Sequence, residues 1–260
     1  MTTPTDPKSL SQERFGEFAS AYLTSTPHVE GEDLTKLFAM ANPQPDWVAL
    51  DIATGGGHTA NMIAPHVKFM IAGDITYKML RAAQTLLSKH DNTTYTATDA
   101  ENMAFASDSF DLVTCRIAPH HFPNCFRFIQ ECSRILKPNG KLIIEDHYVP
   151  ENDHAARYID AFEQLRDPSH HRIYAEYEWR GMYLDAGLIV DETFLMHKSS
   201  GGFLDWANRQ KCTPETIEKL EIMLIQAPQD VKDFLHPRAV GTPEADFDHS
   251  YIIIGGHKPA

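Results

Sequence analysis

The apolar and polar positions of this chain fall into two textures. Near the amino terminus residues 1–10 read as frayed, and helical spacing from about Ser11 puts Phe15, Phe18, Ala19 and Tyr22 on one side. Thr26-Pro27 breaks that helix, and a short helix over 33–41 is ended by Asn42-Pro43-Gln44-Pro45. From Trp47 onward, short continuous apolar runs alternate with helical spacing. Strands are predicted over 47–52, 67–72, 94–98, 110–115 and 141–145. Helices are predicted from the loop at 53–57 to about 64, over 76–88 and over 126–136, and Lys137-Pro138-Asn139-Gly140 reads as a turn. Runs without polar alternation suit strands covered on both faces, and their alternation with helices predicts a parallel sheet.

Beyond Pro150 helical spacing dominates. Helices are predicted over 153–165 and 174–186, the second stopping at Gly187, followed by a strand over 188–194. A long helical connection over 203–247 then contains helices at 203–208, 214–225 and 228–234, and the last strand spans 250–255. Thr213-Pro214-Glu215 is a good helix start, with a hydroxyl cap, proline at the first position and an acid in the first turn.

Charge narrows the function classes. The 260 residues carry 36 acids against 23 bases, a formal charge of −13. Such a chain lacks the positive field that drives binding to nucleic acid or anionic lipid, so neither is expected as a partner. With 42% hydrophobic and 23% charged residues, the composition is that of a globular protein. The length suits one domain over 1–260, with an amino-terminal helical segment at 1–45, a core at 46–150 and further helices and strands at 151–260. Apolar runs such as Tyr251-Ile252-Ile253-Ile254 fall far short of the ~20 residues of a membrane span. Residues 1–6 are polar, without an apolar signal core. Cys115, Cys125, Cys132 and Cys212 show no CxxC spacing, which predicts free thiols, a cytoplasmic location and no metal site.

The most informative stretch is Val48-Ala49-Leu50-Asp51-Ile52-Ala53-Thr54-Gly55-Gly56-Gly57-His58, a strand, a glycine turn and a helix start. Gly55-x-Gly57-x-x-Ala60 matches a loose dinucleotide fingerprint, with Asp74 about where a ribose-binding acid belongs; a tight strand–helix turn would use the same glycines. The acids change the ligand. Asp51 precedes the loop and would repel a pyrophosphate but attract an ammonium. Asp51, Asp74 and Asp99 end three successive strands, at the sheet edge where open α/β folds bind ligands. Carboxylates there can accept from an amine, ribose hydroxyls and an adenine amino group.

With those segments the sequence resembles the class I S-adenosylmethionine-dependent methyltransferases, within them the ubiquinone/menaquinone-type small-molecule group. The resemblance continues through Gly73-Asp74-Ile75-Thr76-Tyr77-Lys78-Met79-Leu80, Asp99-Ala100-Glu101-Asn102-Met103-Ala104-Phe105, Ser109-Phe110-Asp111-Leu112-Val113-Thr114-Cys115-Arg116, Leu136-Lys137-Pro138-Asn139-Gly140-Lys141-Leu142 and Leu184-Asp185-Ala186-Gly187-Leu188. It covers residues 47–150 densely and the rest thinly. It implies a Rossmann-like, seven-stranded, mostly parallel sheet with helices on both faces and the last strand antiparallel. The connection before the last strand departs from the family's usual short one, and with the amino-terminal helix it is expected to form a helical cover over the active site.

The resemblance also implies roles. Asp51, Ala53, Thr54, Gly55 and Gly57 would surround the methionine part and ribose of S-adenosylmethionine, the implied cofactor, whose product is S-adenosylhomocysteine. Asp74 would take the ribose hydroxyls, with Ile75 and Met79 beside the adenine. Asp99 would bind the adenine amino group, with Ala100 and Glu101 alongside, and Arg116 would lie near the sulfonium or the methionine carboxylate. Ala53 stands where the family often has glycine.

Methyl transfer to a small-molecule acceptor, through carbon or oxygen, is an in-line displacement that mainly needs alignment and exclusion of water. A base is needed only if the acceptor must lose a proton early. His120 and His121, in the loop after the fourth strand, are the candidates, although either could instead cap a helix or pack beneath the site. Asp146-His147-Tyr148 follows the fifth strand at the same edge and reads equally as pocket wall or surface turn. Two other readings stay open: a nicotinamide-dependent oxidoreductase, which Asp51 disfavours, and a non-catalytic protein that binds S-adenosylmethionine.

Overall fold

The computed structural model describes residues 6–22 and 31–260, with side chains at 6–16 and from Gly31 onward. The expected placements of Phe18, Ala19 and Tyr22 and the break at Thr26-Pro27 lie outside the described residues and side chains. The chain forms two compact units. The first comprises the described residues up to Asp146 with Arg180–Phe194 and Ile253–Ala260; the second comprises His147–Trp179 and Leu195–Ile252.

Strand β1 (Val48–Ile52) pairs in parallel with β2 (Phe69–Asp74) on one side and β4 (Phe110–Arg116) on the other. Strand β3 (Thr93–Ala97) lies outside β2, and β5 (Leu136–Val149) beyond β4. With β6 (Tyr174–Ala175), β7 (Ile189–Ser199) and β8 (Asp248–His257) the sheet has eight strands, in the order β3-β2-β1-β4-β5-β8-β7 with β6 beside β5. It is mostly parallel, with antiparallel carboxyl-terminal strands. The seven expected strands are therefore present, and the two-residue β6 is added where a helix start was expected. That helix begins two residues later, at Glu176.

Burial explains the strands. Ala49, Leu50, Leu112, Val113 and Cys115 are fully enclosed, as continuous apolar runs in a doubly covered sheet require. Helix Tyr77–Leu87 buries Met79, Leu80, Ala82, Ala83 and Leu87. Helix Cys125–Ile135, capped by Asn124 accepting the Arg127 N–H, buries Phe128, Ile129, Cys132 and Ile135. Because the winding reverses between β1 and β4, their carboxyl ends open a crevice at a topological switch point.

Lys137-Pro138-Asn139-Gly140 is not a turn between elements. It lies inside the fourteen-residue β5. The Asn139 N–H donates to the Lys258 carbonyl at 2.8 Å, and the Lys258 N–H donates to Gly140 at 2.9 Å. Asn139 has φ +64°, and a Cβ on Gly140 would sit 2.8 Å from the Lys137 carbonyl oxygen. Pairing with the segment at Lys258 thus absorbs what the Pro-Asn-Gly punctuation would otherwise make a loop. The strand also runs on through Asp146, His147 and Tyr148, so these are strand residues and not a surface turn.

In the second unit the helices of the long connection, Phe203–Arg209, Pro214–Gln226 and Gln229–Leu235, share a core with helix Asp153–Arg166. Trp206 is its anchor: its ring stacks on Phe162 at 5.0 Å, meets Phe247 edge-on at 4.9 Å and lies under the Arg166 guanidinium at 4.4 Å. Asn152 and Thr213 cap their helices as side-chain acceptors. The four cysteines are free thiols. No described helix is long and apolar enough to cross a membrane.

Candidate active site

Residue by residue, the carboxyl edge of β1, β2 and β4 builds a pocket in the first unit. Strand β1 delivers Asp51 into it, only 1% exposed. The Thr54 hydroxyl donates to one carboxylate oxygen at 2.6 Å and the Thr114 hydroxyl to the other at 2.8 Å. Burial nevertheless pushes the Asp51 carboxyl up to about 6, against the opposing pull of those hydroxyls and of Arg116. After Asp51 the backbone turns through left-handed conformations at Ala53 (φ +53°), Gly55 (φ +54°) and Gly57 (φ +87°). Gly57 also permits close packing, since a Cβ there would lie 3.1 Å from Ala83. Ala53 adopts this geometry without being glycine, at roughly 1–2 kcal/mol of backbone strain.

Asp74 ends β2. One oxygen accepts the Gly55 N–H at 3.0 Å and the other the Thr76 N–H at 2.7 Å, so the acid both shapes the glycine loop and faces the pocket. Burial raises its carboxyl, and those N–H groups oppose the rise. Asp99 follows β3. One oxygen accepts the Glu101 N–H at 3.0 Å, and the other meets the Lys8 ammonium at 2.7 Å. Lys8 also meets Glu101 at 2.6 Å.

The far end of the pocket is formed after β4. Arg116 donates through Nε to Glu145 and through Nη2 to Asp33, each at 2.9 Å, with all three side chains buried. Its guanidinium is thus gripped by two carboxylates, whose pull outweighs the desolvation that would lower its basicity. Ile117 follows at φ +52°, an unusual conformation for a β-branched residue, at the pocket wall. The turn Pro119–His121 then carries the two histidines. Asp146 accepts the His120 backbone N–H at 2.7 Å and contacts its ring Nδ1 at 2.6 Å. The His120 ring lies 4.1 Å from that of His121, which lines the pocket and meets Phe15 edge-on at 4.8 Å.

The pocket gathers Asp51, Ala53, Thr54, Gly55, Asp74, Ile75, Met79, Asp99, Ala100, Glu101, Arg116 and His121. Gly57 lies behind the loop, and His120 sits against Asp146 outside the lining. Sequence reasoning missed Lys8 and Ser11, which line the pocket from helix Pro7–Tyr22 together with Phe15. The segment expected to be frayed starts that helix. Asp6 accepts the Ser9 N–H at 3.1 Å, so Asp6-Pro7 is a cap followed by a first-position proline, a readable signal. No cluster of metal ligands occurs among the described residues.

A doubly wound, Rossmann-like sheet with a pocket at the carboxyl ends of its strands defines the class, an α/β fold of the kind that methyltransferases share. The model described as Methyltransferase domain matches residues 50–144. YcgJ of Bacillus subtilis, an uncharacterized methyltransferase, is 34% identical over 171 residues, covering 65% of this chain and 68% of YcgJ. Its crystal structure superposes with a TM-score of 0.81 at 27% identity, covering 87% of this chain and 98% of that one. YafE of Escherichia coli is 30% identical over 76% of this chain and 94% of its own length. A demethylmenaquinone methyltransferase of Thermotoga maritima is 32% identical over 50% of this chain and 55% of its own. The chain belongs to the class I S-adenosylmethionine-dependent methyltransferase family.

Proposed function

We propose that this enzyme moves a methyl group from S-adenosylmethionine to carbon or oxygen of a small aromatic or quinol-type acceptor. One observation carries the cofactor half of this reading. The pocket presents Asp51, Asp74 and Asp99, while its lining cations Lys8 and Arg116 are each held between two carboxylates. That donor and acceptor set suits an ammonium, ribose hydroxyls and an adenine amino group, and opposes the pyrophosphate of a nicotinamide dinucleotide.

When bound, S-adenosylmethionine supplies a methyl group on a sulfonium, an already activated leaving group. Asp74 takes the ribose hydroxyls, Asp99 the adenine amino group, and Asp51 the methionine ammonium. Phe15, Ile117, Phe122 and Pro123 make the opposite end apolar and exclude water. His121 meets the acceptor there and takes its proton where one must leave. Asp146 holds His120 through both backbone and ring, fixing the turn that presents His121. The quinone-type acceptor is supported by this aromatic wall and by the name of the Thermotoga relative.

Isotope-labelled S-adenosylmethionine incubated with reduced quinones, phenols, amines and nucleic acid tests the proposal. Labelled quinol or phenol is expected, reduced about 10²-fold or more by His121→Ala. Label found only on amines or nucleic acid contradicts the acceptor, and an unchanged His121→Ala rate contradicts the base.

A further inference from the structure

The first turns of helix Pro7–Tyr22 cross the pocket from its adenine end to its histidine end. Lys8, Ser11 and Phe15, three and then four residues apart, share the helix face that lines it. Lys8 reaches Asp99, the Gln12 side-chain amide donates to the Ile75 carbonyl at 2.9 Å beside Asp74, and Phe15 meets His121. Polar contact is concentrated at Lys8, whose ammonium bridges Asp99 and Glu101.

Both oxygens of Asp99 are therefore engaged: one by the Glu101 N–H, the other by Lys8. A neutral adenine amino group offers Asp99 a weaker hydrogen bond than an ammonium does. Glu101 offers Lys8 a second place to rest, because its other oxygen is already fixed by the Asn124 N–H at 2.6 Å. We propose that Lys8 is a built-in competitor for the adenine-binding carboxylate. Its ammonium closes the nucleoside end of the pocket through Asp99 and moves onto Glu101 alone when the cofactor enters. The proposal rests on the reading of this pocket as the S-adenosylmethionine site.

Two properties follow. The competing pair is partly exposed, Lys8 at 29% and Asp99 at 32%, so it is weak and screened by salt. Removing the competitor therefore tightens nucleoside binding only by about 3- to 5-fold, the upper part of the range of an exposed ion pair. Salt weakens the competitor but leaves the net-neutral S-adenosylhomocysteine nearly unaffected, so its affinity rises with salt in the natural protein.

Titration of the full chain with S-adenosylhomocysteine, at low and at raised potassium chloride, tests this. Lys8→Met is expected to bind 3- to 5-fold more tightly at low salt, to associate faster, and to lose the rise with salt. Lys8→Arg is expected to restore the natural behaviour. Gln12→Ala, which loosens the helix without touching Asp99, is expected to speed association while keeping the salt response. Equal or weaker binding by Lys8→Met, with the natural protein still binding, overturns the competitor and makes Lys8 a passive wall or a cofactor contact. No binding by the natural protein or any variant overturns the cofactor reading beneath it.

Discussion

Two acids, Asp246 in the second unit and Asp51 in the first, are treated in opposite ways. In the second, Asp246 is saturated: it accepts from the hydroxyls of Ser199 and Ser200, the Gly202 N–H and Arg238. Despite the burial that opposes them, those donors hold its carboxyl well below the usual range. In the first, Asp51 has two threonine hydroxyls, and burial wins, pushing it up to about 6. A carboxyl surrounded by donors holds a loop together. Asp51, whose burial outweighs its donors, keeps a raised carboxyl at the pocket wall, the kind of perturbed group that marks a candidate binding site.

The contrast can be broken most forcefully from the structural side. Trp206→Ala removes the stacked centre of the second unit and is expected to cost about 3–5 kcal/mol in denaturant unfolding. Every residue lining the pocket belongs to the first unit, so folded Trp206→Ala protein keeps its S-adenosylhomocysteine affinity within about 3-fold, a difference under ~1 kcal/mol. Lost affinity at a small stability cost would reverse the roles assigned to the two regions.

Asp51→Asn acts from the functional side. The folded carboxyl titrates at about 6 against an ordinary 3.8, so the folded state holds the extra proton between those values. The natural protein accordingly loses stability as pH rises from about 4 to about 6 and does not regain it above. Asp51→Asn removes that loss and is expected to be the more stable protein at pH 7, by at most about 3 kcal/mol. It should also bind S-adenosylmethionine less well. Denaturation curves from pH 4 to 8 check this, and curves for the two proteins that stay parallel contradict it.

The smallest effect is at Ala53. Ala53→Gly relieves the left-handed backbone but adds freedom to the unfolded chain, for a net gain of up to about 1 kcal/mol. A lower melting temperature would mean the methyl group is packed and not merely tolerated.

How much of this was legible in the sequence depended on how local the cause was. Apolar runs alternating with helical spacing announced β1, β2 and β4, the inner strands; the half-buried β3, Thr93–Ala97, was legible only from its threonines and tyrosine and its place after a helix. The acids at 51, 74 and 99 were legible because each lies at or just past the carboxyl end of a predicted strand. Where pairing is distant, local signals misled. Pro138-Asn139-Gly140 looks like a turn until Lys258 pairs with it. Lys8 meets an acid 91 residues away, which no periodicity reveals. The different duties of His120 and His121 depend on Asp146, on another strand. The two-residue β6 is too short to have a pattern.

The central claim is that the three strand-end acids form a nucleoside site. Calorimetric titration of the natural protein and Asp74→Ala with S-adenosylhomocysteine and with NAD tests it most directly. Two charge-assisted hydrogen bonds to ribose are worth on the order of 3 kcal/mol together, so the variant should bind S-adenosylhomocysteine about 100-fold more weakly. The natural protein should bind S-adenosylhomocysteine and not NAD. Tight NAD binding, or S-adenosylhomocysteine binding untouched by Asp74→Ala, would contradict the account.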